Sequence, residues 1–470
     1  MLTARSHNAR LADIVLAASV AIAVVGDVAV LSARAVGDGG TRAEAAVRQS
    51  EPAPSDTLPP SSALVRLVEQ RPLQVGDSGD AVRALQTALN EAGFGVPPDG
   101  LFGSTTRAAV VSFQSTRGLA ADGVVGPATA RLLVDGDSAT SRGTAHAPSD
   151  ATVVRDGITN AVRVGRLSGR AGARYSRVLS QSLLQLGLLP PERAAVLASV
   201  LRDVAAQARS YDEPRALALF TMLETNARVL EASSLPASLA DIEGADGAVY
   251  RFVAGNGFQF HPLANFARLN SLVTARRRTE AVRLADALVA RGVKRGGTLT
   301  WEYYFPFGGP SRWESGFAQA VAAQALARTA ELVADGRRLA AARRAFRSLV
   351  SRLTSDLAGG TWVREYSFND AVILNAQLQS LASLLDYARI VQDSDAVAFV
   401  ARLDRATRAL LPRFDTGCWS RYLLGGGAAS RHYHEYHVAL LKLLAAKTGA
   451  TVYRDAAARW AGYLDGSGCP

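Results

Sequence analysis

Apolar residues recur at helical spacing through most of this chain, and Gly, Asp and Pro interrupt them at intervals. Amphipathic stretches run over 194–207, 215–230, 280–290, 316–334, 340–357 and 371–391, and others continue the series from Tyr175 to Leu464. Helical hairpins in a run of this length close as a toroid or extend as a solenoid. No fixed-period sequence repeat is evident, which favours the toroid. A shorter periodic unit precedes it. Leu73-x-x-Gly76-x-x-Gly79 leads into Val82, Leu85-Gln86 and Leu89 at helical spacing, with Asp80 placed to cap the helix. Asp99-Gly100-Leu101-Phe102-Gly103-Ser104 then leads into Val110 and Phe113-Gln114. The pattern returns as Asp122-Gly123-Val124-Val125-Gly126-Pro127, leading into Leu132-Leu133. Each Asp-Gly predicts a tight turn, and each later Gly precedes a helix, with Ser104 as N-cap in one copy and Pro127 at N1 in the other. The expected fold class is therefore mainly α: a small three-helix bundle followed by a large α/α toroid-like helical domain.

Between these units the pattern fails. Residues 36–70 contain EPAPSDTLPPSS and read as a Pro/Ser-rich linker, and 135–151 read as a second linker. The bundle then spans 71–134 and the helical domain 152–466. Residues 1–35 form an N-terminal segment of a different kind. Arg5 and Arg10 precede an apolar run from Ile14 to Gly26, Asp27 interrupts it, and Ala33-Arg34-Ala35 offers a small-x-small cleavage site. It reads as a cleaved signal peptide or as an uncleaved N-terminal anchor, the only part expected to meet a membrane. Either places the domains outside the cell, secreted or membrane-anchored, at the cell wall.

The 470 residues carry a formal net charge of +10. That balance suits an anionic partner such as a wall polymer or acidic polysaccharide, and an Arg-rich solvated surface would give the same number. No Lys/Arg block is interleaved with aromatics, so no nucleic-acid partner is expected. The two cysteines, Cys418 and Cys469, make no disulfide framework. They read equally as one bridge or as two free thiols.

Candidate chemistry gathers between the helices of the large domain. One cluster runs from Gly255 to Pro262 and includes His261. A second runs from Trp301 through Tyr304 to Arg312, Trp313 and Glu314. A third is Trp362 to Phe368, ahead of a helix carrying Asn375. The fourth, Phe414 to Leu444, places Tyr422 and Tyr433 on either side of a Gly-rich turn and holds three of the six histidines, His432, His434 and His437. Loops at one end of a toroid share a rim, where aromatics and acids make a groove that stacks sugar rings and binds hydroxyls. His434 and His437 lie one turn apart and could share a metal, but the spacing is not His-Glu-x-x-His, so neither a metal nor a cofactor is expected.

Two family resemblances follow from these motifs. The Gly-x-x-Gly, Leu-Gln and repeated Asp-Gly-x-x-Gly positions of 71–134 resemble the peptidoglycan-binding domain of the three-helix type. The resemblance implies noncovalent binding of peptidoglycan, with Asp99, Gly100, Gly103, Asp122, Gly123 and Gly126 in the loops that hold it. Residues 246–464 resemble the C-terminal domain of the D-glucuronyl C5-epimerase family. The carrying residues are Gly257 to Leu263, Tyr304 to Phe307, Trp313, Gly316, Glu365-Tyr366-Ser367, Asn375, Phe414 to Gly417, Tyr422, and Tyr433-His434-x-x-His437.

That second resemblance implies inversion of C5 of uronate residues within a polysaccharide. Removal of C5–H needs a base on one face of the sugar and an acid on the other, and a tyrosine serves as base only if its pKa near ~10 is lowered. The family's catalytic residues map to Glu365, Tyr366, Tyr422 and Tyr433. His261, Tyr304, Arg312, Trp313, Asn375, Arg431, His434 and His437 are the candidate substrate-binding residues. The chain departs from animal members in two ways. They carry an arginine within three residues after the tyrosine that matches Tyr422, whereas Leu423-Leu424-Gly425 follow here and leave Arg421 or Arg431 as substitutes. The chain also lacks the β-rich region that precedes this domain in animal enzymes and shapes their groove. The resulting expectation is an exported wall-associated protein that binds peptidoglycan and epimerises uronate residues. A noncatalytic glycan-binding protein and a uronate lyase, which would follow the same proton abstraction with loss of the C4 substituent, are the competing readings.

Overall fold

The computed structural model describes residues 60–134, apart from 93, 95, 97 and 117–122, and residues 147–466, apart from 233, 237, 238, 308 and 465. The candidate leader at 1–35, the stretch 36–59, Asp122 and Cys469 lie outside the described residues. No described helix is long and apolar enough to cross a membrane.

The small unit is built from the helices Pro60–Gln70, Asp80–Glu91, Ser104–Thr116 and Pro127–Val134. The first was expected to be linker. Its apolar pair Leu64 and Val68, one turn apart, is fully buried, and the helix packs on Pro127–Val134 and Asp80–Glu91. Two apolar positions behind a proline run are too weak a signal to read as helix. A second correction concerns Asp80, which is the first helical residue; Gly79 occupies the N-cap position, with no side-chain bond. The two Asp-Gly loops are held alike. Gln86 takes the Gly100 N–H on Oε1 at 2.8 Å and donates from Nε2 to the Leu101 carbonyl and Thr106 Oγ1, each at 3.0 Å. Gln114 takes the Gly123 N–H at 2.9 Å and donates to the Val124 carbonyl at 2.8 Å and to Thr129 Oγ1 at 3.2 Å. Gly100 and Gly123 both have φ of 75°, so the repeated glycines answer a backbone requirement.

The large domain is an α/α toroid-like array. Its first helix, Ala147–Arg163, begins inside the expected second linker. The helices Pro262–Thr274, Gly316–Val333, Leu374–Val391 and Arg431–Thr448 pack one against the next as an inner row. Each is followed by an outer helix, in turn Arg278–Arg291, Gly336–Arg352, Ser394–Leu410 and Thr451–Leu464. The inner helix at Gly316 is rich in Ala and buried on nearly every side, as a helix must be when it has neighbours on both flanks and behind.

A structural repeat lies under the irregular sequence. The fourth residue of every inner helix, Asn265, Gln319, Gln377 or His434, accepts a backbone N–H from the extended segment before it. The donors are Val249 at 2.7 Å, Trp301 at 3.2 Å, Val363 at 2.8 Å and Ser420 at 3.0 Å. The three amides also donate back to carbonyls of Val249, Leu299 and Thr361. Each bond ties a strand or turn to the N-terminal end of an inner helix, so the polar-aromatic segments converge on one rim. A buried amide that satisfies both groups of a peptide removes the cost of leaving them unpaired.

Candidate active site

A cavity of about 1020 Å³ opens at this rim. Glu365 and Tyr366 enter it from the loop after the strand Gly360–Val363. That loop is fixed by Ser367, which bonds Glu314 through both its N–H at 2.9 Å and its hydroxyl at 3.0 Å. Tyr422 comes from a segment clamped to the entry of the helix Leu374–Val391: Leu374 N–H donates to the Tyr422 carbonyl at 3.1 Å, and Leu424 N–H to Val372 at 3.0 Å. Tyr433 is the third residue of its inner helix, and the helix is capped by Ser430. All four residues line the same cavity.

They also touch one another. Tyr422 Oη donates to Glu365 Oε2 at 3.5 Å, and the Tyr422 and Tyr433 rings lie 4.6 Å apart. Burial pushes the Glu365 carboxyl up to about 7, against the pull of hydrogen bonds from Tyr366 and Tyr422. Burial also holds Tyr366 well above the ordinary phenol range, reinforced by Glu365 and Tyr433 and opposed by Arg107. Tyr366 is therefore a neutral donor, and the group poised near neutral pH is the carboxylate. Trp313, stacked on Tyr303 at 4.0 Å, and Phe307, 5.5 Å from the Tyr366 ring, wall this cluster.

The expected binding residues divide. His261, Trp313, Asn375 and Arg431 line the cavity. His261 caps its helix by accepting the Ala264 N–H on Nδ1 at 3.1 Å, and burial, with the nearby Arg251, keeps its pKa well below the usual range. A neutral ring that accepts on Nδ1 carries its proton on Nε2, which is then the donor available to a ligand. Asn375 Oδ1 is buried without a hydrogen-bond partner. Arg431 sits at the exposed edge, paired with Glu435 at 2.9 Å.

Tyr304, Arg312, His434 and His437 are not at the cavity, which corrects their assignment. Side chains alternate along a strand, so Tyr303 faces the cavity while Glu302 and Tyr304 face away. Tyr304 donates to Glu302 at 3.3 Å inside an ionic cluster with Arg215, and Arg312 donates to Ser210 Oγ at 2.7 Å. His434 is the repeat residue described above. It stacks on Trp419 at 3.9 Å and contacts the Trp460 carbonyl through Nε2 at 2.8 Å. His437 is fully buried and bonds Ser420 Oγ at 2.9 Å; burial, then His434, lowers its pKa to about 3. Both imidazoles therefore anchor Ser420, two residues from Tyr422. Among the described residues no group of three or more His, Cys, Asp or Glu could hold a metal. Cys418 is disulfide-bonded, which decides against two free thiols.

One cavity residue was missed. Arg251, 6 % exposed, lies in the strand Val249–Val253 opposite Asp241, which grips it through Nε at 2.8 Å and Nη2 at 2.7 Å. Nη1 takes no part in that pair, and Arg251 lines the cavity beside His261 and Tyr303. It is a buried arginine at the cavity, whereas the sequence pointed to Arg421 or Arg431. Arg421 is spent on its own turn, donating to the Gly426 carbonyl. A lone Arg between Tyr and Phe in a strand gives no signal in sequence.

Residues 295–462 match the family of the D-glucuronyl C5-epimerase C-terminus, and residues 78–133 match the peptidoglycan binding domain family. The chain carries one region similar to each of these two families. In sequence it is similar to a zinc D-Ala-D-Ala carboxypeptidase of Streptomyces albus G, 52% identical over 60 residues, covering 12% of this chain and 24% of that protein. It is similar also to the N-acetylmuramoyl-L-alanine amidase CwlM of Mycobacterium tuberculosis, 44% identical over 78 residues, covering 16% and 19%. The chain thus spans less than a quarter of the length of these relatives. A solved cellobiose 2-epimerase from Spirochaeta thermophila aligns at 13% identity with a TM-score of 0.33, covering 64% of this chain and 86% of that one.

Proposed function

We propose that the protein is a wall-associated epimerase that inverts C5 of uronate residues in a polysaccharide. The observation that carries this reading is a buried carboxyl group, raised to about 7, that accepts from Tyr422, whose ring in turn contacts Tyr433 in the same cavity, within a region that matches the C5-epimerase family. A base poised near the working pH is what abstraction of a weakly acidic C–H requires.

Glu365 takes the C5 proton as carboxylate. The electron pair left at C5 delocalises into the uronate carboxylate, where Arg251 Nη1 and the His261 Nε2–H stabilise the added charge. Tyr433 returns a proton to C5 from the opposite face. Tyr422, hydrogen-bonded to Glu365 and in ring contact with Tyr433, passes the abstracted proton on to Tyr433 and resets the site. Tyr366 stays neutral and donates. The peptidoglycan-type module keeps the enzyme at the wall, and the disulfide at Cys418 fits an exported protein in an oxidising compartment.

The test is C5 hydrogen–deuterium exchange in uronate polymers incubated with the full chain in deuterated water. Exchange with inversion supports the reading. An unsaturated product, detected by new ultraviolet absorbance, would make it a lyase instead. Tight binding without exchange would make it a binding protein.

A further inference from the structure

The module and the toroid meet over the cavity, where the helix Ser104–Thr116 lies against the strand Val249–Val253. At one edge Arg107, in the helix Ser104–Thr116, donates to the Phe307 carbonyl and lies over the Phe307 ring, 5.4 Å from its centroid. At the other edge the two backbones touch: a Cβ placed on Gly427 would lie 2.6 Å from the Gly76 carbonyl oxygen. Beside these contacts a cavity stays open between the facing surfaces. The cavity that holds Glu365, Tyr366, Tyr422 and Tyr433 is bounded on its far side by Val75, Val96, Pro98, Asp99, Leu101 and Gly103 of the module.

A plug would fill the groove with side chains. Here about 1020 Å³ stays open, at the upper end of the range of roughly 300–1,000 Å³ for ligand sites. The walls differ in chemistry. The toroid side offers hydroxyls, a carboxylate, a buried arginine and the unpartnered Asn375 Oδ1. The module side is mostly apolar, with the Asp99 loop at its edge, and so suits the CH-rich face of a pyranose ring. Asp99 and Gly103 belong to the loop expected to hold glycan in the module's own right.

We infer that the module is the second wall of the saccharide site. A single glycan strand lies between the two units, with its uronate at the tyrosines and a neighbouring sugar against Val96, Pro98 and Leu101. The module then determines substrate specificity as well as location. The inference rests on the proposed epimerase reading only for the identity of the sugar at the tyrosines.

Gly103 provides the test. Its φ is ordinary, a Cβ added there meets nothing within 4 Å, and the residue lines the cavity, so a large side chain can be placed at the module wall without displacing the fold. Gly336, at the start of an outer helix, has the same open surroundings away from the cavity and serves as the matched position. The full chain is titrated by calorimetry with a hexasaccharide of alternating glucuronate and N-acetylglucosamine, and C5 exchange is followed in parallel. Gly103→Trp should weaken binding by about tenfold or more, a loss of one decade being ~1.4 kcal/mol, and raise KM with kcat little changed. Gly336→Trp should alter neither. Should Gly103→Trp melt early, Gly103→Leu gives the same comparison at smaller size. Equal affinity of the Gly103 and Gly336 variants, or faster exchange in the Gly103 variant, overturns the inference. Wild-type binding without exchange, still weakened at Gly103, overturns the epimerase reading and leaves the second wall standing.

Discussion

Replacing Glu365 by Gln should abolish proton transfer and yet stabilise the fold, and the stabilisation should depend on pH. Glu365 titrates at about 7 in the folded protein against an ordinary 4.5. A folded-state pKa above the unfolded one means that the folded chain holds the proton more tightly. The associated stability is fully present below 4.5 and is lost as pH rises through 7. At alkaline pH the wild type therefore carries an ionised carboxylate in a site that disfavours it. The difference from 4.5 to about 7 corresponds to at most about 3 kcal/mol at ~1.36 kcal/mol per pK unit, an upper bound because Glu365 keeps some contact with water in the cavity. Glutamine cannot ionise and retains a carbonyl to accept from Tyr422. Thermal melts of the full chain should place Glu365→Gln about 2–6 °C above wild type near pH ~8.5, with the two coinciding near pH ~4. A gain that is the same at both pH values, or a loss at the higher one, would refute the claim that burial of this carboxylate sets its pKa. The same reasoning predicts a kcat limb that falls below about pH 7 in the wild type.

Four further outcomes follow from the geometry. Tyr422→Phe removes the link between Glu365 and Tyr433, so C5 exchange should drop by ~10²-fold while the melt stays near wild type; full exchange would remove Tyr422 from the proton path. Arg251→Ala should cost more in kcat than in KM, and Asp241→Asn should show part of the same loss, since Asp241 only orients the guanidinium; unchanged kinetics in Arg251→Ala would exclude it as the carboxylate anchor. If His434 is a repeat residue and not a ligand, His434→Ala should destabilise the fold by ~2–3 kcal/mol and His434→Gln should recover part of it in denaturant titrations, Gln being the residue used at the two preceding positions. A fragment covering 58–135 should melt higher than one covering 71–135, because the shorter piece lacks the buried Leu64 and Val68; equal melting would return residues 60–70 to the linker.

The chain's periodicity determined the mainly α class, and the doubled Asp-Gly motif with its glutamines determined the module, because helical burial and tight turns impose local rules on residue type. The rim was legible for the same reason: Glu365, Tyr366, Tyr422, Tyr433, His261, Trp313 and Asn375 sit in segments where apolar spacing breaks and polar aromatics collect. Tertiary structure alone decided which of these polar residues face the cavity. Tyr303 and Tyr304 are neighbours of identical chemistry, and only strand pairing with Trp313 and Glu314 turns one to the cavity and the other to Glu302. The repeat residue is Asn, Gln, Gln and then His, so its common role of receiving a strand N–H is a geometric identity that no spacing rule detects, and it removes His434 from the site. Arg251 became visible only through Asp241, its partner across a strand pair. The second wall of the cavity depends on docking contacts between residues far apart in sequence, Arg107 on Phe307 and the backbone approach of Gly76 to Gly427, which no local pattern marks.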